Sequence, residues 1–188
     1  FELLVMGALT SSFIPVFTKY ISQDKEAHAW KMGAALINIS LFLLVLLSLP
    51  ILIWTREISF LLAPGFTDAQ ITQMAAFTRF MIVFQVVPLL LGNFFTGILQ
   101  SYNLFIVPAL APVVYNIGII VGIVLLTPAL GLWSPVAGVA IGALLFMLIQ
   151  IPLLARIGYR HAWAVDPNIA GVKEVGRLMG PRTLGLAV

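Results

Sequence analysis

The chain has 188 residues, of which 61% are hydrophobic and 9% charged, with a mean hydropathy of +1.10 and a formal charge of +3. An ordinary soluble domain is about a quarter charged, so this composition excludes a water-soluble globular fold. The basic residues form no stripe and do not interleave with aromatics, which excludes a nucleic-acid binder, and the lack of cysteine excludes disulfides and thiolate metal sites.

A bilayer core of about 30 Å takes about 20 apolar residues as a helix, and charges and turn residues divide the chain on that basis. The chain opens at Phe1 inside one apolar run and closes inside another at 184–188, which leads us to expect an internal piece of a larger membrane protein. The first span covers about 1–20 and ends at the polar stretch SQDKEAHAWK. The second, 32–55, carries no charge. After Arg56 and Glu57, the apolar part of ISFLLAPGFTDAQ is too short to cross, Pro64 and Gly65 make a turn, and Thr67 with Gln70 forms the pattern of a capping box. This reads as an interfacial elbow. The third span, about 68–99, is longer than the bilayer needs and so implies tilt or a protruding end. The fourth covers 107–126 and ends at Thr127, Pro128 and Gly131; the fifth covers 136–154 and ends at Arg156. Val172, Val175, Leu178 and Met179 share one face of a helix over about 170–179, with Lys173, Glu174 and Arg177 on the other, as in a helix lying on the membrane surface. A sixth span starts near Pro181 and runs over 181–188 and onward. The fold class is an all-α polytopic membrane bundle, all of 1–188 being part of one integral membrane domain.

Orientation follows from the loops, because Lys and Arg concentrate on the cytoplasmic side. Lys19, Lys25, Lys31, Arg156, Arg160, Lys173, Arg177 and Arg182 all fall on one side, which is assigned to the cytoplasm. The LAPGF elbow and the LTPALGLWSP turn then face outward.

The chemistry of an enzyme is missing. His28 and His161 read as solvated loop residues without a second histidine at metal spacing, and no GxSxG, HExxH, GxxxxGK or GxGxxG motif occurs. No catalytic residue, metal site or cofactor is expected. More informative are polar and small residues inside the spans. Gly118 with Gly122, and Gly138 with Gly142, are GxxxG pairs of the kind that let helix backbones approach closely. From Phe80 to Ala155 the chain has no Asp, Glu, Lys, Arg or His, yet Pro108, Pro112 and Asn116 recur at helical spacing there. Two prolines one turn apart remove backbone donors and bend a helix, which lipid tolerates only where other groups satisfy the freed carbonyls. That stripe is expected to face protein or a wet cavity, with Pro108 and Pro112 as hinges and Asn116 on the cavity wall. Arg79 lies well inside the third span, where a guanidinium either snorkels to the outer surface or supplies a cation to a central cavity. Gln85, Asn93, Gln100 and Gln150 add polar groups at membrane depth.

Six stretches then carry a resemblance: GALTSSFIPVF (7–17), LLAPGF (61–66), TRFMIVF (78–84), SYNLFIVPALAPVVYN (101–116), IQIPLLARIGYR (149–160) and GVKEVGRLMGPRTLG (171–185). In this order and spacing they closely resemble the MurJ/MviN family of lipid II flippases, in the multidrug/oligosaccharidyl-lipid/polysaccharide exporter superfamily that also holds the MATE exporters. The resemblance covers essentially the whole chain. It implies a fourteen-helix fold, of which this chain matches the second helix to the start of the seventh, in the N-terminal lobe of a protein of the bacterial cytoplasmic membrane. It also implies alternating access of a cavity lined by arginines, with Arg79 at a family arginine position and Asn116 on the family proline-proline-asparagine pattern. Where the family usually has a basic pair followed by Glu, this chain reads Phe1, Glu2 and Met6, so Glu2 joins Arg79, Asn116 and Gln85 as a substrate-binding candidate. The implied partners are a polyprenyl-diphosphate-linked cell-wall precursor, membrane lipid and proteins of cell-wall synthesis, with a coupling ion left open. Two other readings stand beside the flippase: a MATE-type drug or cation exporter, toward which Glu2 points, and a membrane scaffold that does not transport.

Overall fold

The computed structural model describes the backbone of residues 2–163 and 166–186, and the side chains of 11–163 and 166–179. Every regular element among these residues is helical: α1 Glu2–Ser22, α2 Glu26–Ile53, α3 Thr55–Leu62, α4 Asp68–Phe84, α5 Val86–Ser101, α6 Ile106–Leu130, a 3₁₀ turn Gly131–Trp133, α7 Ser134–Leu148, α8 Ile151–Arg156 and α9 Ala170–Leu186. The protein is therefore an all-α polytopic membrane chain. Among the described residues, Glu26–Ile53, Asp68–Ser101 and Ile106–Arg156 are long and apolar enough to cross a bilayer, and the last of these folds back at Gly131 and so supplies two legs.

Prolines set most of the breaks. Position 88 has no N–H to offer the Phe84 carbonyl, and the helix expected over 68–99 is accordingly two, α4 and α5, parted at Gln85. Pro152 deprives Leu148 of its donor in the same way, and the span expected over 136–154 is parted into α7 and α8 at Ile149 and Gln150. Pro108 lies in the first turn of α6, where an N–H has no intrahelical acceptor in any case, so only Pro112 and Pro128 are interior prolines of that helix. The surface helix expected over 170–179 is no separate element, since α9 continues through Pro181 to Leu186. Nor does its apolar face lie on lipid: Val172 and Val175 are buried, a side chain at Gly171 would collide with Met32 and Tyr20, and Lys19 pairs with Glu174 at 3.0 Å, which docks α9 on α1 and α2.

The chain packs as two units. One is drawn from Phe1–Ser40, Leu91–Ala109 and Ile149–Val188. Its core is aromatic, with Phe13 against Phe17 and edge-on to Phe94, Phe17 edge-on to Trp30, and Trp30 stacked on Tyr102 and edge-on to Tyr159. Such pairs add about 0.5–1.5 kcal/mol each beyond their contact area. Gln150 is fully buried and closes this unit: its Oε1 accepts from the Thr96 hydroxyl at 3.0 Å, and its Nε2 donates to the Gly92 carbonyl at 3.1 Å.

The other unit is drawn from Leu41–Leu90 and Leu110–Leu148. Here the two GxxxG pairs prove to be one seam. Gly118 lies on Gly142 and Gly122 on Gly138, so closely that a Cβ at Gly122 would overlap the Gly138 Cα. Lipid offers no hydrophobic drive for helix association, and close backbone contact supplies van der Waals attraction instead. Trp133 in the connecting turn packs edge-on against Phe77 and Phe80 of α4. The elbow forms through the short helix α3, the turn after it, and the expected capping box at the start of α4: Gln70 N–H donates to the Thr67 hydroxyl and Thr67 N–H to the Gln70 side chain.

Candidate functional site

Thr55 just beyond the end of α2 organises the surroundings of Arg79. Its hydroxyl lies 2.6 Å from the Ile51 carbonyl and 2.9 Å from that of Leu52, two acceptors left over where the helix stops. Arg79 Nε donates to the Leu52 carbonyl and to the Thr55 hydroxyl, each at 3.3 Å. A guanidinium at the C-terminal end of a helix meets both the orphan carbonyls and the negative end of the macrodipole. Arg79 thus caps α2 through one nitrogen. The side chain is exposed, and its two terminal amino groups have no protein partner among the described residues.

Gln85 sits at the break between α4 and α5 and donates from Nε2 to the Tyr115 hydroxyl at 3.3 Å. Its partner is therefore the residue before Asn116 and not Asn116 itself. Asn116 is exposed and folds back on its own helix, donating from Nδ2 to the Pro112 carbonyl at 2.8 Å. Pro112 is exposed and Pro108 buried. Glu2 begins α1, but its side chain, with those of Phe1 and Met6, lies outside the described residues.

The structure also shows a site that the sequence reading passed over. A cavity of about 490 Å³ is lined by Glu26, Ala27, Trp30 and Lys31 at the start of α2 and by Ile157, Gly158, Arg160, His161 and Ala162 after α8. His161 is held and not merely solvated. Its Nε2 lies 3.1 Å from Asn38 Oδ1 and its Nδ1 3.1 Å from the Tyr159 hydroxyl, while Asn38 Nδ2 donates to the Ala162 carbonyl at 2.9 Å. With the Asn38 amide fixed by that last bond, the network is satisfied by a neutral ring carrying its proton on Nε2 and accepting from Tyr159. Burial lowers the His161 pKa below its ordinary value and raises that of Tyr159 to about 12. Tyr102, partly buried and donating to Glu26 at 3.2 Å, is likewise raised to about 12, first by burial and then by the carboxylate. The only signal in the sequence was the run of Tyr159, His161 and Trp163 on alternate residues. Nothing in spacing tied it to Asn38, far off in the chain.

Among the described residues no group of three or more His, Cys, Asp or Glu side chains could hold a metal ion. The chain matches the family model for the lipid II flippase MurJ over residues 1–188. Among curated proteins it is 28% identical to the probable lipid II flippase MurJ of Buchnera aphidicola subsp. Acyrthosiphon pisum, over 95% of this chain and 36% of that protein. It is 29% identical to the probable lipid II flippase MurJ of Borreliella burgdorferi, over 86% of this chain and 31% of that one. The lipid II flippase MurJ of Burkholderia cenocepacia is 27% identical over 97% of this chain and 37% of its own length. The chain spans about a third of the length of these relatives.

Proposed function

The chain belongs to the lipid II flippase MurJ family, and from that premise we propose that it is part of a protein that moves lipid II from the inner to the outer leaflet of the bacterial cytoplasmic membrane by alternating access. The observation that carries the reading is the family match along the whole chain. The physical task is to pass a large, doubly anionic headgroup through a slab where charge is costly, while the polyprenyl tail stays in lipid. Exposed polar groups on membrane helices suit that task. Arg79 keeps two amino groups free for a phosphate oxygen while its Nε holds α2, and Asn116 presents a carbonyl to the sugar or peptide. Because Phe1 and Glu2 stand where the family usually has a basic pair, Arg79 carries more of the countercharge in this lobe. Rocking between inward and outward states bends the helices where bonds are already missing, at Gln85 before Pro88, at Pro112 and at Gln150 before Pro152.

The test is complementation by the full-length gene in a bacterium depleted of its own lipid II flippase. Wild type is expected to restore growth and Arg79→Ala to fail at equal membrane abundance. A well-expressed wild type that does not rescue overturns the reading.

A further inference from the structure

We propose that the cavity between the start of α2 and the segment after α8 binds a phosphate ester, held by Lys31 and Arg160 over a floor formed by Trp30. The argument begins with unspent charge. Lys19 has Glu174 and Arg56 has Asp68, but among the described residues neither Lys31 nor Arg160 makes an ion pair or a side-chain hydrogen bond, although both line the same cavity of about 490 Å³. The carboxylate in the lining, Glu26, accepts from the Tyr102 hydroxyl at 3.2 Å, and His161 is neutral with both ring nitrogens engaged. With Lys31 and Arg160 positive and Glu26 negative, the lining keeps a net positive charge.

The frame is rigid in advance of any ligand. Asn38 clips both His161 and the Ala162 carbonyl to α2, Tyr159 packs edge-on to Trp30 and Phe95, and the chain turns at Gly158 with φ +74°. A fork of guanidinium donors beside a mobile ammonium is the donor set that suits phosphate oxygens. The indole of Trp30, 9% exposed, gives an apolar surface to whatever carries that phosphate. Two sources share this chemistry in a membrane chain: the headgroup of an anionic phospholipid, and a soluble phosphate or pyrophosphate.

The test uses the full-length protein in neutral detergent, titrated calorimetrically at low salt. The probes are dihexanoyl-phosphatidylglycerol, dihexanoyl-phosphatidylcholine and inorganic pyrophosphate. Saturable binding of phosphatidylglycerol or pyrophosphate is expected, with affinity falling about tenfold or more in the Lys31→Gln/Arg160→Gln double variant and largely kept in Arg160→Lys. Phosphatidylglycerol binding without pyrophosphate binding names a lipid headgroup; binding of both names the phosphate group itself. No binding of either anion, equal binding of phosphatidylcholine, or a double variant that binds like wild type overturns the proposal. Both side chains are exposed, so the double variant is expected to fold, which an unchanged near-ultraviolet spectrum of the Trp30 cluster checks. Binding is read without transport, so its failure is separable from failure of complementation.

Discussion

Arg79 is tied through Nε to the end of α2, at the Leu52 carbonyl and the Thr55 hydroxyl, more than twenty residues earlier in the chain. The capping role and the proposed cargo role part company by mutation. Thr55→Val removes one acceptor for Nε and keeps the cation. It is expected to cost about 1 kcal/mol of stability, read as a lower thermal midpoint in detergent, while complementation survives. Arg79→Ala is expected to match that loss and also to abolish complementation, and equal behaviour of the two variants would reduce Arg79 to a cap. His161 was read from sequence as solvated because its partner Asn38 is distant in the chain and apolar patterning does not report a single polar clip. Its pKa is depressed, so the unfolded chain binds more protons just below the ordinary value of about 6.5. The stability it contributes is present above that pH and is lost as pH falls through the folded value. Thermal midpoints measured from pH 7.5 down to 5.5 are expected to fall in wild type and to lie flatter in His161→Gln. The tyrosines act at the other end. Those of Tyr102 and Tyr159 are raised, so their contribution is complete below about pH 10 and is lost as pH climbs toward about 12.

At the scale of elements, the charge-free runs marked where membrane helices lie, because bilayer thickness imposes a length on apolar sequence whatever the packing. What the runs did not show is where a helix stops being one helix. Pro88, Pro152 and Pro108 all stand in the first turn of a helix, and the difference lies in what precedes them: Phe84 and Leu148 end helices whose next donor is missing, whereas the residues before Pro108 are already outside a helix. The capping box at Thr67 and Gln70 was legible because its logic is local. The glycine pairs were legible as close-packing sites, whereas their pairing with each other depends on the fold-back at Gly131. That seam leaves no room for a methyl group: Gly122→Ala or Gly138→Ala must push the two backbones apart, at a cost of about 1–3 kcal/mol or more. Gly176→Ala, with open space around it, is expected to cost less than about 0.5 kcal/mol. Thermal unfolding of the two classes side by side checks the contrast. Gln150→Leu tests the other unit, because it leaves the half-buried Thr96 hydroxyl and the Gly92 carbonyl without their partner, a loss of about 1–3 kcal/mol.

For the whole molecule, the family was legible because six motifs keep their order along the chain, and a binding site was not, because the polar groups are scattered over separate helices. Fold class rests on composition, which acts on every residue at once; a binding site rests on a few contacts between residues far apart, such as Gln85 with Tyr115 or His161 with Asn38. The glycine seam of α6 and α7 bears also on how such a chain is made. From Ile106 to Ala155 neither leg nor the turn carries a charge, and the hydroxyls of Thr127 and Ser134 pair at 2.8 Å across that turn. A newly synthesised hairpin of this kind can leave the insertion machinery already zipped, backbone against backbone, with no ionised group to drag through the bilayer. Its topology is then decided by the basic residues on either side, so moving one arginine into the Gly131 turn would trouble biogenesis long before it troubled the finished fold.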